Sequence, residues 1–257
     1  MKSSYRSKKA LGQNFLADSR TQQKIVDSCD LKSTDIVIEI GPGQGAITRL
    51  IAPQVKQVVC VEKDRDLIGV LTQEFEGSNV EIVHADFLQW VFPHNVKVIG
   101  NIPYYISTPI LEKLIENRAN ISQAYLTVQL EFGQRLAAKS GGKEYGALTC
   151  FVQYWADVQL LFKIKSSCFR PAPKVDSCFV RLDFTRPPLY RPQSEDLFFR
   201  LIRTAFTQRR KTFLNAVSAT VGKERLGAVL KDLGISPNAR PEELNLQNFV
   251  DISNHLV

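Results

Sequence analysis

This sequence of 257 residues contains few histidines and no Cys-x-x-Cys pair. Its three histidines (His84, His94 and His255) are too few for a histidine-based metal site to be expected. Its five cysteines are an odd number without a Cys-x-x-Cys pair, which indicates reduced thiols and neither a disulfide framework nor a zinc site. No run approaches the roughly 20 apolar residues of a membrane-spanning helix, and no apolar segment of a secretory signal follows the N-terminus. We therefore expect a cytoplasmic protein with no metal and no membrane partner.

The charge balance is basic, with 33 Lys and Arg against 26 Asp and Glu, a formal net charge of +7. A basic surplus favours an anionic partner, of which nucleic acid is the most common. The 44% of hydrophobic and 23% of charged residues are typical of a folded globular protein and exclude a disordered or fibrous chain.

Short β-branched runs alternate with helical patterns between about residues 36 and 130. This alternation predicts an α/β fold, a parallel sheet with helices on both faces. Two later runs, 158–164 and 178–184, suit an antiparallel pair that closes one edge of the sheet. The predicted parallel strands are 36–40, 57–61, 80–83, 96–99 and 124–130, with helices near 46–51, 65–75, 109–116 and 131–139.

A proline-rich stretch, 186–192, interrupts the pattern, because proline fixes φ and cannot continue a strand or helix interior. After it, residues 195–217 and 224–256 have helical patterns and no strand signal. We predict a first domain over residues 1–185 and a small all-helical domain over residues 186–257.

A glycine turn follows the first predicted strand, with Gly41, Gly43 and Gly45 in the run Gly-Pro-Gly-Gln-Gly. Glycine lets the backbone approach a ligand closely, and ligands of open parallel sheets bind at the carboxyl ends of the strands. The spacing differs from the Gly-x-Gly-x-x-Gly that a dinucleotide pyrophosphate favours. The turn suits a ligand with an amino-acid group, such as S-adenosylmethionine (SAM), although a purely structural turn remains the alternative.

Acidic residues follow the next two predicted strands. Glu62 ends the second strand, where an acceptor for ribose hydroxyls is expected. Asp86 follows the third strand and can accept from an adenine amine, while its neighbour Phe87 can pack on the purine. Each alone is more often a solvated residue, but together with the glycine turn they favour a Rossmann-like, SAM-dependent methyltransferase.

Asn101-Ile102-Pro103-Tyr104 follows the fourth predicted strand and resembles the Asn/Asp-Pro-Pro-Tyr motif of enzymes that methylate exocyclic amines of bases. An aromatic amine is a poor nucleophile, because its lone pair is delocalised. Two acceptors on its hydrogens, the Asn101 side-chain oxygen and the Ile102 carbonyl, would free that lone pair. Tyr104 then offers a stacking face for an unstacked base. The alternative is a strand-ending turn with a buried tyrosine.

A wheel drawn over 197–217 places an apolar arc on one side and cations on the other. The cations Arg203, Arg210 and Lys211 suggest contacts to RNA phosphates, although a solvated charged face is the simpler alternative. Arg209 falls in the apolar arc, so either the helix breaks near it or Arg209 has a dedicated partner. We include Arg209 among the RNA-binding candidates, together with three cations of the N-terminal tail, Arg6, Lys8 and Lys9.

The chain resembles the small-subunit ribosomal RNA adenine dimethyltransferases of the KsgA type, from about Lys8 to the C-terminus. Gln44 and Leu130 depart from the family pattern. The motifs that carry the resemblance are Gly12–Leu16, Gly41–Gly45, Glu62, Asp86, Asn101–Tyr104, Ser107–Pro109, Lys143–Gly146, Phe169–Ser177 and Thr207–Thr212.

The resemblance implies methyl transfer from SAM to N6 of two adjacent adenosines near the 3′ end of small-subunit rRNA. It implies that a pre-30S-type particle is the partner, and we expect a monomer. The target base would lie between Tyr104 and Phe169. The residues implied to contact SAM are Asn14, Leu16, Gly41, Glu62, Asp86 and Asn101, to which the turn and the purine argument add Gly43 and Phe87.

Four other functions are weighed against this one. A large-subunit rRNA adenine methylase of the macrolide-resistance type shares the Asn101–Tyr104 region. A DNA adenine methylase fits less well, because the RNA-family motifs continue into the second domain. A catalytically silent assembly or transcription factor would not need an intact Asn101, Tyr104, Glu62 and Asp86. A dehydrogenase fits least, given the glycine spacing.

Overall fold

The computed structural model describes Lys8, residues 12–186 and residues 190–257, which divide into two units. The first unit contains the described residues up to Gly133 and the segment Asp157–Thr185. The second contains Gln134–Ala156 and the described residues from Arg186 to Val257. The structure thus places residues 134–156 with the second unit, whereas the sequence analysis assigned them to the first domain.

A seven-stranded sheet forms the centre of the first unit, in the order β4-β3-β2-β5-β6-β9-β7. Neighbours from β4 to β6 are parallel, and β9 is antiparallel to both β6 and β7. The predicted α/β fold and the antiparallel pair at the sheet edge are confirmed. The strands of the sheet are β2 (Ile36–Ile40), β3 (Gln57–Glu62), β4 (Val80–His84), β5 (Val96–Asn101), β6 (Ile121–Gln129), β7 (Asp157–Ile164) and β9 (Ser177–Asp183).

The central strands are nearly continuous apolar runs, because parallel strands covered on both faces have no solvated side. Short helices connect them, and two begin at aspartate caps, Asp18 and Asp64, whose side chains accept from backbone N–H groups of the first turn. These helices are α1 (Ser19–Asp27), α2 (Thr48–Ile51), α3 (Arg65–Glu74), α4 (Ser107–Glu116) and α5 (Leu130–Leu136), which crosses the division between the units.

A separate two-stranded ribbon brings the N-terminal segment to a distant part of the chain. β1 (Phe15–Leu16) pairs antiparallel with β8 (Phe169–Arg170), so that Leu16 lies opposite Phe169. Both side chains are buried in the core of the first unit, which they share with Tyr125 and Phe179.

Among the described residues of the second unit, all regular secondary structure is helical, around a core that includes Phe198, Phe213 and Phe249. The helical pattern over 195–217 is divided between two helices, one of the two alternatives raised by the position of Arg209. The chain turns at 208–212, where Thr212 caps the next helix by accepting the N–H of Asn215. The helix over 147–155 was not predicted. The helices are α6 (Ala147–Trp155), α7 (Glu195–Thr207), α8 (Phe213–Val221), α9 (Lys223–Asp232) and α10 (Leu246–His255). None of the helices described is both long and apolar enough to cross a membrane.

Candidate active site

A cavity opens in the first unit at the carboxyl ends of the parallel strands β2 to β5. The loops after four strands and the segment before β1 contribute its walls, as expected for an open parallel sheet. Two predicted site residues, Leu16 and Phe169, do not line this cavity. The predicted residues that do are Asn14, Gly41, Gly43, Glu62, Asp86, Phe87, Asn101 and Tyr104.

The glycine turn after β2 depends on a left-handed backbone, with φ of +60° at both Gly41 and Gly43. A Cβ at Gly43 would lie 2.9 Å from the Phe15 ring, whereas a Cβ at Gly41 would meet nothing within 4 Å. The turn is therefore closed by packing at Gly43 and open toward the cavity at Gly41. This geometry lets a ligand contact the backbone directly.

Glu62 ends β3 with a buried carboxylate, 6% exposed, on the wall of the cavity. Its Oε2 accepts the Gly43 N–H at 3.2 Å and its Oε1 accepts the Asp64 N–H at 2.8 Å. Burial raises the pKa of Glu62, and these two N–H donors oppose the rise. Because a carboxylate oxygen can accept more than one hydrogen bond, this anchored group can also accept from a sugar hydroxyl.

Asp86 lies two residues beyond β4 and is held by two donors. Its Oδ1 accepts the Leu88 N–H at 3.0 Å, and its Oδ2 lies 2.8 Å from the Lys63 ammonium. The Lys63 hydrogen bond holds the pKa of Asp86 below its usual value. Phe87 also lines the cavity, but its ring is mostly buried and packs edge-on against Phe92, with the ring centres 5.5 Å apart.

Asn101, the last residue of β5, is oriented by the N-terminal segment. Its Nδ2 donates to the carbonyl of Asn14 at 2.9 Å, and the Asn14 side chain donates to the Gly12 carbonyl at 3.3 Å. The hydrogen bond to Asn14 uses an N–H of the Asn101 side-chain amide. Its oxygen is therefore the atom that can accept from an incoming amine.

Tyr104 opens a short 3-10 turn, Tyr104–Ile106, directly after the Asn-Ile-Pro run. Its ring is half-buried, and its hydroxyl lies 2.6 Å from the hydroxyl of Ser177 at the start of β9. Burial raises the pKa of the Tyr104 phenol, so it stays neutral near pH 7. The ring borders the cavity, as a stacking surface must.

The position of Phe169 contradicts the expectation that the target base lies between the rings of Tyr104 and Phe169. Its ring is 0% exposed and belongs to the core of the first unit, because β8 pairs with β1 and directs it inward. A fully buried ring has no face to offer to a base. In this conformation Phe169 supports the ribbon that Asn14 adjoins, and of the two rings only that of Tyr104 lines the cavity.

Several cavity residues were not singled out from the sequence. Tyr105, 62% exposed, lines the mouth and packs beside Gly12. Gln13 also lines the cavity and donates to Asp64 at 2.9 Å. Gln13 lies within the motif Gly12–Leu16 and Tyr105 directly follows the motif Asn101–Tyr104, and these positions are the signal that could have identified them.

The predicted RNA-binding cations differ in their exposure and in their contacts. Arg203, Arg210 and Lys211 are exposed on the second unit, whereas Arg209 is half-buried and donates to the carbonyls of Lys143 at 2.9 Å and Tyr145 at 3.0 Å. Both alternatives weighed for Arg209 therefore hold: the helix breaks, and the residue has a dedicated partner. Lys8 is paired with two aspartates. Arg6 and Lys9 lie outside the described residues.

A family model described as ribosomal RNA adenine dimethylase matches residues 4–257. The chain belongs to this family. It is 39% identical to the ribosomal RNA small subunit methyltransferase A of Clostridium acetobutylicum, over 99% of this chain and 95% of the relative. The same-named protein of Fusobacterium nucleatum is also 39% identical, over 96% of this chain and 97% of the relative.

Two solved structures, a dimethyladenosine transferase and an rRNA methyltransferase, are similar to this protein over nearly its whole length. A dimethyladenosine transferase from Plasmodium falciparum superposes with a TM-score of 0.81 at 28% identity, covering 93% of this chain and 95% of that one. The 23S rRNA methyltransferase ErmE gives 0.80 at 27% identity, covering 95% and 99%. The chain is thus a SAM-dependent enzyme that dimethylates adenine in ribosomal RNA.

The cavity fits SAM on its own geometry. Glu62 and Asp86 supply carboxylates for hydroxyl and amine donors, and the Gly41 backbone faces open space. Apolar groups, including Ile102 and Pro103, complete the walls. Asn101 and Tyr104 line the same cavity as these two carboxylates.

Proposed function

We propose that this protein dimethylates N6 of two adjacent adenosines near the 3′ end of small-subunit rRNA. It does so as a monomer in the cytoplasm, on a pre-30S-type particle during assembly of the small subunit. The curated relatives at 36–39% identity bear the name small subunit methyltransferase, which supports this choice of RNA.

One observation carries the proposal: Asn101 and Tyr104 line the same cavity as Glu62 and Asp86. The first two match the motif of amine methylation and the last two suit an adenosyl group. Their meeting on one cavity puts an amine within reach of a bound methyl donor. Asn14, Gly41, Gly43 and Phe87 complete the cofactor wall in this proposal.

SAM supplies, when bound, a methyl group made electrophilic by its positive sulfur. In the first transfer the Asn101 oxygen and the Ile102 carbonyl accept the two hydrogens of the adenine amine, which frees the nitrogen lone pair. In the second transfer one of these two oxygens accepts the single hydrogen that remains. The Tyr104 ring holds the unstacked base at this position. No group of the protein has to remove a proton before transfer, because the product ammonium is acidic, so the residues act by orientation.

The exposed cations of the second unit supply affinity for the RNA backbone in this proposal. Arg203 lies on α7, and Arg210 and Lys211 lie in the turn before α8. Contacts of this kind set the affinity and its salt dependence rather than the choice of base. The choice of target then depends on the site around Tyr104.

The test is a labelled-SAM assay with two substrates in parallel, undermethylated small ribosomal subunits and naked large-subunit rRNA. The products are digested to nucleosides, and the labelled positions are mapped. Dimethyladenosine at two adjacent positions of the small subunit alone is the expected result. An Asn101→Ala variant serves as the inactive control.

A large-subunit target is the second candidate, because ErmE superposes with a TM-score of 0.80. Label confined to the large-subunit rRNA would replace the proposal by this one. SAM binding without label in either RNA would contradict both and indicate a binding role in assembly.

A further inference from the structure

The hydroxyl of Tyr104 is bound to a residue that lies far from it in sequence. The Tyr104 oxygen and the Ser177 Oγ are 2.6 Å apart, across 73 positions of the chain. Both residues belong to the first unit. The contact therefore joins the tyrosine of the cavity to the first residue of an inner strand.

Ser177 is held in place from both sides. It lies opposite Gln129 of β6 and Ile164 of β7, and its side chain is completely buried. The loop before it is closed by Asp176, whose Oδ1 accepts the Ser166 N–H at 2.9 Å and whose carbonyl accepts the Leu130 N–H at 3.0 Å. The serine hydroxyl is thus a fixed point, because the strand that bears it cannot shift without breaking these pairings.

A tyrosine ring has two soft torsions, and a base that stacks on it needs one defined ring plane. The backbone turn of Tyr104–Ile106 fixes the Cβ end of the ring. A hydrogen bond at the hydroxyl fixes the opposite end, so the two together remove the swing of the ring about χ1. The phenol is neutral near pH 7, so it can donate this bond.

We propose that Ser177 is a positioning residue for methyl transfer: its buried hydroxyl holds the Tyr104 ring in the plane on which the target adenine stacks. The proposal rests on the proposed role of Tyr104 as the stacking surface. It assigns a function to the serine that ends the Lys-Val-Asp-Ser run, with Asp176 closing the loop and Ser177 orienting the ring. Ser177 does not touch the substrate.

A double-mutant cycle on the full chain tests this proposal. Tyr104→Phe and Ser177→Ala each remove the same hydrogen bond, from opposite sides, and neither removes the ring. We expect each to lower kcat roughly three- to tenfold, the effect of one neutral hydrogen bond, with KM for SAM unchanged. The double variant should be no slower than the slower single variant, within about twofold.

Ser177→Thr retains a hydroxyl and should restore most of kcat. Ser122→Ala is the matched control, since its hydroxyl bonds the Val96 carbonyl at 3.1 Å at the other end of β5 and β6. We expect it to leave kcat at the wild-type value.

Multiplied losses in the double variant would overturn the proposal, because they would show that Ser177 acts apart from Tyr104. A wild-type kcat in Tyr104→Phe would also overturn the proposal. If Ser177→Ala does not fold, Tyr104→Phe alone still tests the hydrogen bond, because it leaves the buried serine in place. The cycle is run on whichever rRNA the unsubstituted protein methylates. A wrong choice of RNA in the proposed function therefore leaves this test intact.

Discussion

The ammonium of Lys8 lies 2.6 Å from the buried carboxylate of Asp64 and 2.7 Å from the exposed carboxylate of Asp66. The same Asp64 accepts from Gln13 at 2.9 Å, and its backbone N–H donates to Glu62. Hydrogen bonding to the two aspartates raises the pKa of Lys8. A cation that sequence analysis assigned to RNA is thus tied to the wall of the cofactor cavity.

Lys8→Ala should consequently affect the cofactor more than the RNA. We expect a roughly two- to fivefold higher Kd for SAM by calorimetry, since partly exposed ion pairs contribute little. The salt dependence of RNA binding should keep its wild-type slope. A slope reduced by about one unit would return Lys8 to the phosphate contacts.

Asn101→Ala removes the acceptor that the proposed mechanism places on the adenine amine. We expect kcat to fall about 100-fold, as for a misplaced reacting group, while the circular dichroism spectrum and Tm stay near wild type. Asn117→Ala is the matched control, because its amide caps α4 through the Lys113 carbonyl at 2.8 Å, away from the cavity. Turnover retained by Asn101→Ala would remove this residue from the mechanism.

Glu39 gives the protein a pH-dependent stability. It is 4% exposed, accepts from the Thr48 hydroxyl at 2.6 Å, and burial raises its pKa to about 7. The folded state therefore holds a proton that the unfolded state has already released, and the free energy of unfolding falls between about pH 4.5 and pH 7.

Glu39→Gln has no carboxyl group at this position, so its free energy of unfolding should lack this fall with pH. We expect the free energy of unfolding of Glu39→Gln, relative to that of the wild type, to rise by about 2 kcal/mol between urea titrations at pH 5.5 and at pH 8.5. If the free energies of unfolding of the two proteins changed equally with pH, Glu39 would be ionised in the folded state.

Arg209 and Arg210 are neighbours with different expected roles. Arg209→Ala should lower the free energy of unfolding by about 1–2 kcal/mol, because two carbonyl contacts to the segment around Tyr145 are lost. Arg210→Ala should leave stability unchanged and reduce the salt slope of RNA binding by about one unit. Exchanged phenotypes would contradict the placement of these two side chains.

Phe169→Leu distinguishes a core role from a stacking role. Leucine is apolar and close in size, so a core position should tolerate it at a cost of about 1–2 kcal/mol, with kcat nearly unchanged. Phe169→Ala should cost about 3–5 kcal/mol. A large fall in kcat for Phe169→Leu, with Tm intact, would mean that the ring leaves the core to stack on the base.

The parallel strands were predictable from sequence because they are buried on both faces. β2 was predicted as it stands, and β3 only one residue short, since their buried positions are filled almost entirely by apolar, mostly β-branched side chains. Asn101 and Glu62 could be assigned to one cavity for the same reason, because strand ends of a parallel sheet share an edge.

Features set by distant contacts could not be predicted in this way. The burial of Phe169 depends on pairing with Leu16, which no local pattern records. The break between α7 and α8 was indicated only by the position of Arg209 in the apolar arc, because apolar spacing continues across it to Phe213. Every residue of helix α6 is buried or partly buried, so its sequence lacks a charged, solvated face.

The pairing of Leu16 with Phe169 also sets an order of events during synthesis. The N-terminal segment leaves the ribosome first, but its partner strand follows some 150 residues later. At an elongation rate of about 5–20 residues per second that interval is on the order of ten seconds. Asn101 is oriented through Asn14, which adjoins this ribbon. The nascent chain therefore remains without an assembled active site until most of the first unit has been translated.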